Sequence, residues 1–583
     1  MITVEKLSYS FPEKDLYKEV SFTLEDGQHA VLIGSNGTGK TTLIHMLMDP
    51  DEYLYDGKIK RDIEGRIGYV SQFEKEEKER DLTVFEFLAE DFVALQKAME
   101  DVCKEMETAE ELDALMERYQ VILDESMSMD ADNYESNIRK ELKTAGLTQL
   151  EELKLSAISG GEYKLLQVVK QMLRQPTLLI MDEPDVFLDF ENLNGLRDLV
   201  NSYKGTILAI THNRYLLNHC FNKILHLENA DIQEFDGSFV EYNFSLLAQK
   251  IELQEQVAKE QAEIERNEKI VEKLRANATR VTSASRGKAL HARVSYLERL
   301  EARRIKAPFV NLRQPKIELP ILETVEEEKE KILQVSGYTV AYDDLLLENV
   351  NFEIQEGDKV AIVGPNGTGK TTLLRDIYRN QSGFISMSEN AQVGFLSQIH
   401  GEMLKESNTI YEEMESIGFE THAQIAEYLK DYYFEVDMLG NKIEQLSGGE
   451  KNLLQLAKIC AGDANLLLLD EPTSHLDTYS QIALEKAIEK YNGTVLMVSH
   501  DFYTIANCCD YVLFVEDKSI RKMRIRSFRK MIYENHFDKD YLELEQKKKE
   551  LETRVENLLQ NNDYATAKEV CEDLETVVSK LKI

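Results

Sequence analysis

No part of this 583-residue sequence is apolar for the length that a membrane crossing needs, roughly 18 residues. Its opening, MITVEKLSYSF, lacks the charged-then-apolar layout of a secretory signal. A membrane part is therefore not expected, and the expected compartment is the cytoplasm. Cysteine is scarce: Cys103, Cys220, Cys460, Cys508, Cys509 and Cys571 form no C-x-x-C pair and no metal-ligand spacing. That argues against a zinc module or disulfide scaffold and for reduced thiols. Positive charge is also lacking overall. A net charge of −37 argues against a general nucleic-acid coat, although screening over about 8–10 Å leaves room for a local basic contact. What remains is an ordinary globular composition, 43% hydrophobic and 30% charged, in a chain long enough for roughly three or four structural units.

One pattern occurs twice. Gly34-Ser35-Asn36-Gly37-Thr38-Gly39-Lys40-Thr41-Thr42 follows the apolar run Ala30-Val31-Leu32-Ile33. Gly364-Pro365-Asn366-Gly367-Thr368-Gly369-Lys370-Thr371-Thr372 follows Val360-Ala361-Ile362-Val363. Further landmarks pair in the same order: Gln72 with Gln398, Ser159 with Ser447, Asp182 with Asp470, His212 with His500. The offset between copies is 330 residues at the lysines, 326 at the glutamines and 288 from the serines onward. The first copy therefore holds 38 extra residues between Gln72 and Ser159, in the acidic, helix-patterned stretch of about 85–140.

Each loop is a phosphate cradle. Its glycines let backbone N–H groups turn inward, the following helix N-terminus favours negative charge, Lys40 and Lys370 add a cation, and Thr41 and Thr371 offer a hydroxyl to Mg²⁺. Leu178-Leu179-Ile180-Met181-Asp182-Glu183-Pro184 and Leu466-Leu467-Leu468-Leu469-Asp470-Glu471-Pro472 read as buried parallel strands ending in two carboxylates. Ligands gather at such strand ends. Asp182 and Asp470 are expected to hold Mg²⁺, and Glu183 and Glu471 to orient and polarise an attacking water. Ser159-Gly160-Gly161-Glu162 and Ser447-Gly448-Gly449-Glu450 each open a helix. They read either as a simple capped start or as N–H groups left open to a phosphate.

Together these motifs resemble the ATP-binding cassette superfamily: Walker A loop, Q-loop glutamine, signature serine and glycines, Walker B acids, D-loop and switch histidine. The resemblance implies an α/β fold with two P-loop nucleotide-binding domains that pack head to tail within one monomer. ATP and Mg²⁺ would then bind at two composite sites. One site would pair Lys40, Asp182, Glu183 and His212 with Ser447 and Gly449; the other would pair Lys370, Asp470, Glu471 and His500 with Ser159 and Gly161. Gln72 and Gln398 would sense the γ-phosphate and Mg²⁺. Phe11 and Tyr342 sit where the family stacks an aromatic on adenine, and strand packing accounts for them equally well. The copies differ: Pro472-Thr473-Ser474-His475-Leu476-Asp477 faces Pro184-Asp185-Val186-Phe187-Leu188-Asp189, and Ser499-His500-Asp501 faces Thr211-His212-Asn213. Two active sites with unequal rates are the expectation.

The join between copies, 243–320, is too long for an ordinary connection and is not Gly/Ser-rich. Leu253, Val257, Ile264, Val271 and Leu274 share a helix face, and Leu290, Val294 and Leu297 repeat the pattern after a polar break, which predicts a helical hairpin. From Val271 to Lys306 ten basic residues oppose three glutamates, a local +7. Lys273, Arg275, Arg280, Arg286, Lys288 and Arg293 are the candidate RNA contacts. Tandem cassettes, an insertion in the first and a basic helical linker resemble the ABC-F family, whose members act on ribosomes. Phe235-Asp236-Gly237-Ser238-Phe239-Val240-Glu241-Tyr242 is similar to its Y-x-G-N-Y-x-x-Y element, and 288–299 to its second linker helix. That resemblance implies the ribosome as partner, with 23S rRNA and tRNA met through the linker, in translation control or in protection from large-subunit antibiotics. The rival is a fused ATPase of a membrane importer, which leaves the basic linker and the one-sided insertion unexplained. The expected domains are a first cassette over 1–242, a linker over 243–320, a second cassette over 321–530 and a C-terminal helical hairpin over 531–583.

Overall fold

A computed structural model of the chain describes residues 1–11, 14–61, 65–72, 80–108, 112–186, 188–280, 314–321, 330–342, 345–381, 383–536 and 541–581. It divides into two compact units. The first is 1–236 with 314–536, and the second is 237–313 with 537–583.

The first unit holds both cassettes, built on the same plan. In the first cassette six strands line up in the order Ile67–Val70, Leu178–Asp182, Thr206–Ile210, His29–Ile33, Lys223–Glu228, Asp231–Asp236, parallel except for the last pair. The second cassette repeats this with Val393–Leu396, Leu466–Asp470, Thr494–Val498, Lys359–Val363, Tyr511–Glu516 and Ser519–Arg524. Every residue of Leu178–Asp182 and of Leu466–Asp470 is buried, as an apolar run covered on both sheet faces requires. A three-stranded antiparallel sheet stands beside each: Ile2–Phe11 between Lys14–Leu24 and Asp56–Arg61, and Lys331–Ala341 between Leu345–Gln355 and Ile385–Met387. The core of each cassette joins its two sheets to the phosphate-loop helix, with Leu43, Ile44 and Leu47 in one and Leu373, Leu374 and Ile377 in the other fully buried.

Between Gln72 and Ser159 the first cassette carries the helices Val84–Thr108, Asp113–Ser128 and Tyr134–Thr144. Asp113–Ser128 buries none of its residues and leaves Met116, Val121 and Met127 exposed. The corresponding part of the second cassette has only the short helices Ile410–Glu415 and His422–Leu429.

In the second unit one helix runs from Phe239 to Arg280, a length of about 63 Å at 1.5 Å per residue. It starts earlier than the apolar face marks because Ser238 and Glu241 cap it reciprocally. Val257, expected on the packed face, is 47% exposed, and Ile251 is buried instead. The partners of Ile251 come from the C-terminus. Helices Tyr541–Gln560 and Tyr564–Lys580 form a hairpin whose Val555, Leu559, Ala567 and Val570 cluster with Ile251, Phe244 and Leu247. Lys568 adds an ion pair to Glu255 at 2.6 Å. The last helix begins at Tyr564, where the Asp563 side chain accepts the Thr566 N–H as an N-cap. No described helix is long and apolar enough to cross a membrane.

Candidate functional site

Both phosphate loops sit between a buried strand end and a helix N-terminus. Gly39 and Gly369 are the N-caps of Lys40–Met48 and Lys370–Arg379, at φ 95° and 87°. A Cβ on Gly39 would come within 2.9 Å of the Tyr17 hydroxyl, so glycine is needed for both its backbone and its space. Lys40 Nζ donates to the carbonyls of Gly34 and Ser35 at 2.8 and 3.0 Å, and Lys370 Nζ to those of Gly364 and Pro365 at 2.9 and 2.6 Å. Burial lowers both lysine pKa values, against the pull of nearby carboxylates. A buried ammonium beside a helix N-terminus suits a bound anion.

The strand ends bring the acids to the same place. Thr371 Oγ1 donates to Asp470 Oδ1 at 2.9 Å, while Asp470 Oδ2 is buried with no partner among the described residues. Burial raises the pKa of Asp470, and of Asp182, which hydrogen-bonds Thr41. A buried carboxylate oxygen beside a threonine hydroxyl suits a hard divalent cation, so the residues fit Mg²⁺. Glu183 and Glu471 follow in left-handed backbone conformation, at φ 46° and 49°, a strain of about 1–3 kcal/mol each of the kind that clusters at working sites.

The two glutamates differ in their neighbours. Gln72 donates its amide to Glu183 Oε2, and His475 Nδ1 of the second cassette lies 3.7 Å from the same oxygen. Burial pushes Glu183 up, but His475, His212 and Lys40 outweigh it and leave the carboxyl below its ordinary value. Glu471 instead faces His500 of its own cassette, with Nε2 3.7 Å from Oε1 and the His500 N–H donated to Oε2 at 3.2 Å. Burial, with Asp470 adding to it, pushes Glu471 up to about 8. Burial lowers His212 to about 4 and His500 to about 3. Neither ring nitrogen of His212 meets a partner among the described residues, which leaves it free to meet a ligand.

The cassettes face each other head to tail. Asn36 N–H donates to Asp477 Oδ2 at 3.2 Å, and Asn366 N–H donates to Asp189 Oδ2 at 3.1 Å, so each phosphate loop is held by the acid that ends the opposite D-loop. A Cβ on Gly449 would lie 2.2 Å from Asn36 Nδ2, which shows how closely the second signature approaches the first phosphate loop. Ser159 and Ser447 each form a capping box, with Glu162 and Glu450. A cavity of about 800 Å³ brings Ser159, Gly160, Gly161, Glu183 and His212 of one cassette together with Lys370, Thr371, Gln398, Glu471 and His500 of the other. Arg214 also crosses the boundary to Glu485 and Asp501, and Phe190 meets Phe502 edge-on at 6.0 Å.

Phe11, at the end of its strand, and Tyr342, just past the end of Lys331–Ala341, lie outside this cavity, 49% and 71% exposed. Lys273, Arg275 and Arg280 are on the last turns of the helix Phe239–Arg280. Arg286, Lys288 and Arg293 lie outside the described residues, as does Phe187. The sequence reading did not single out Asp189, Asp477, Arg214 or Glu485. The first two could have been found, because each stands seven residues after its Walker B aspartate in both copies. The Arg214 pairing has no counterpart in the repeat.

Comparison with known proteins identifies the family of the chain. A family model described as ABC transporter matches 17–186 and 347–474, and a second of the same description matches 225–318. The chain is 30% identical over 533 residues to ABC transporter F family member 2 of Arabidopsis thaliana, covering 88% of this chain and 76% of that one. It is 28% identical over 528 residues to the energy-dependent translational throttle protein EttA of Escherichia coli K12, covering 87% and 90%. The fold is shared with the archaeal ribosome recycling factor solved with an archaeal ribosomal stalk protein, at a TM-score of 0.55 and 19% identity over 91% of this chain and 92% of that one. With two ABC ATPase cassettes and the joining extension in a single chain, this protein belongs to the ABC-F family of ATP-binding cassette proteins.

Proposed function

We propose that the protein hydrolyses ATP at two composite sites and uses the resulting closure on the ribosome in the cytoplasm, regulating translation or protecting the large subunit from antibiotics. In this reading the loops around Lys40 and Lys370 cradle the β- and γ-phosphates, and the signature N–H groups behind Ser447 and Ser159 meet the γ-phosphate from the opposite cassette. Thr41, Asp182 and Gln72 in one site, and Thr371, Asp470 and Gln398 in the other, would hold Mg²⁺, which would supply charge neutralisation at the phosphate oxygens. Glu183 and Glu471 align water for in-line attack, and His212 and His500 donate toward the γ-phosphate. Hydrolysis removes the group that bridges the halves, and the differential affinity of ATP for the closed form sets the cycle. The basic residues from Lys273 to Arg293 contact 23S rRNA and tRNA.

The observation that carries this reading is the reciprocal hold of each phosphate loop by the other cassette's D-loop, Asn36 on Asp477 and Asn366 on Asp189. That arrangement makes each site incomplete without its partner cassette. A relative named as a translational throttle and a fold relative described as a ribosome recycling factor favour the ribosome as target. The test is sedimentation of the Glu183→Gln, Glu471→Gln double variant with ribosomes and ATP. It is expected to pellet with ribosomes, and to lose that association when the arginines and lysines of the linker are neutralised. Recovery with membranes instead would turn the reading toward an importer ATPase. Drug susceptibility of cells expressing the wild-type chain distinguishes protection from translation control.

A further inference from the structure

The two hydrolytic glutamates are set by histidines from different places. Glu471 has His500, which belongs to its own cassette and also donates a backbone N–H to it at 3.2 Å. Glu183 has His475, which arrives from the D-loop of the opposite cassette, with Nδ1 3.7 Å from Oε2. The backbone holds His475 firmly: it adopts φ 59°, its carbonyl accepts the Asn36 amide at 2.9 Å, and its ring lies against Gly448, where a Cβ would meet it at 3.2 Å. The imidazole is thus wedged between the second signature and the first catalytic glutamate. In the repeat, the position matching His475 is Phe187. A phenyl ring has no N–H and no lone pair, so the first D-loop cannot offer Glu471 the same service.

We propose that His475 is a positioning residue for the first ATP site: it reaches across the cassette interface to the Glu183 oxygen that Gln72 holds from within the first cassette, so that closure completes the setting of this glutamate, whereas Glu471 is set from within its own cassette. The inference rests on the two-site ATPase reading above and adds a direction to it. The second cassette licenses hydrolysis in the first, and the phenylalanine at the matching sequence position has no N–H or lone pair with which to return the contact.

The test is single-turnover hydrolysis of labelled ATP in two backgrounds, Glu471→Gln to report the first site and Glu183→Gln to report the second. In the first background His475→Ala is expected to lower the saturating rate about tenfold, less than the roughly hundredfold that a full 1 Å misplacement can cost. The ATP concentration for half-maximal rate should move less than about twofold. His475→Asn, whose amide nitrogen falls where Nδ1 lies, should restore most of the rate. The loss in the first background should exceed that in the second by about tenfold, with unfolding midpoints matched to the parents. Equal losses in both backgrounds, no loss, or an asparagine variant no better than alanine overturns the proposal while leaving the two-site reading intact. A Glu471→Gln parent that hydrolyses nothing in one turnover overturns the two-site reading, and the proposal with it.

Discussion

Asn36 donates its side-chain amide to the backbone carbonyl of His475, 2.9 Å away in space and 439 residues along the chain. Such a contact exists only if the second signature packs flat against the first phosphate loop, and Gly449 is what allows it. Its missing Cβ would stand 2.2 Å from the Asn36 amide nitrogen and 2.5 Å from the His475 carbonyl oxygen, and the second of these is backbone that cannot swing away. Gly449→Ala is therefore expected to disfavour closure. Overpacking of about 1–3 kcal/mol corresponds to a loss of roughly tenfold or more in hydrolysis at saturating ATP. Scattering measurements with ATP should show the variant failing to compact, while nucleotide still binds the open cassettes.

Arg214 carries the main ionic link between the cassettes. Its guanidinium is buried, pairs with Glu485 and lies 3.1 Å from Asp501, and Thr504 and Asn507 complete the shell around Glu485. Burial works against the Arg214 charge, but Asp501 and Glu485 more than offset it and raise its pKa further. Removing one partner of such a group leaves carboxylates buried and unpaired, at a cost of about 3–5 kcal/mol. Arg214→Met should destabilise the interface by that order in a denaturant titration. Adding Glu485→Gln to it should recover part of the loss, giving a non-additive double-mutant cycle.

The unlike surroundings of Glu183 and Glu471 give unequal sites. Each glutamine substitution should abolish most turnover at its own site, a loss of about 10²–10⁴-fold for a general base. The residual steady-state rates of the two single variants should differ by more than about threefold. Equal residual rates would mean that the different D-loops and the different histidine partners do not reach the chemistry.

The parts that phosphate chemistry dictates were readable in the sequence: the glycine loops, the apolar strands ending in Asp182 and Asp470, and the capped starts at Ser159 and Ser447. Each is a local pattern whose spacing follows from backbone geometry, and the repeat doubled the signal. The pairings that complete the site were not readable. Asp189 answers Asn366 and Asp477 answers Asn36 across an interface; their shared spacing after the Walker B aspartates marks the two acids, but not their partners on the other half of the chain. His475 belongs to the D-loop that follows the family pattern, and nothing in that pattern announced its place beside Glu183. The C-terminal hairpin read as a self-contained pair, because the pattern that packs it on Ile251 is split between two distant segments.

Acid sensitivity follows from the buried histidines. His226 is fully buried, its ring stacks on Tyr479 of the second cassette at 6.0 Å, and burial lowers its pKa to about 3. In the unfolded chain a histidine titrates near 6.5. Above that value both states are neutral and the native fold keeps its full stability. As the pH falls below it, the unfolded chain takes up a proton that the folded one refuses, so stability declines down to the folded value. At pH 5 the single site contributes a loss of about 2 kcal/mol by this linkage. His226→Phe keeps an aromatic ring against Tyr479 and removes the titration. Its unfolding free energy should fall less steeply than that of the wild type between pH 6.5 and pH 4.5, with the two curves separating by about 2–3 kcal/mol at the acid end. Denaturant titrations across that range measure the separation directly. Curves that stay parallel would mean that His226 is protonated in the native fold, which would require Glu228, whose Oε2 lies 4.0 Å from the ring, to act as its counter-ion.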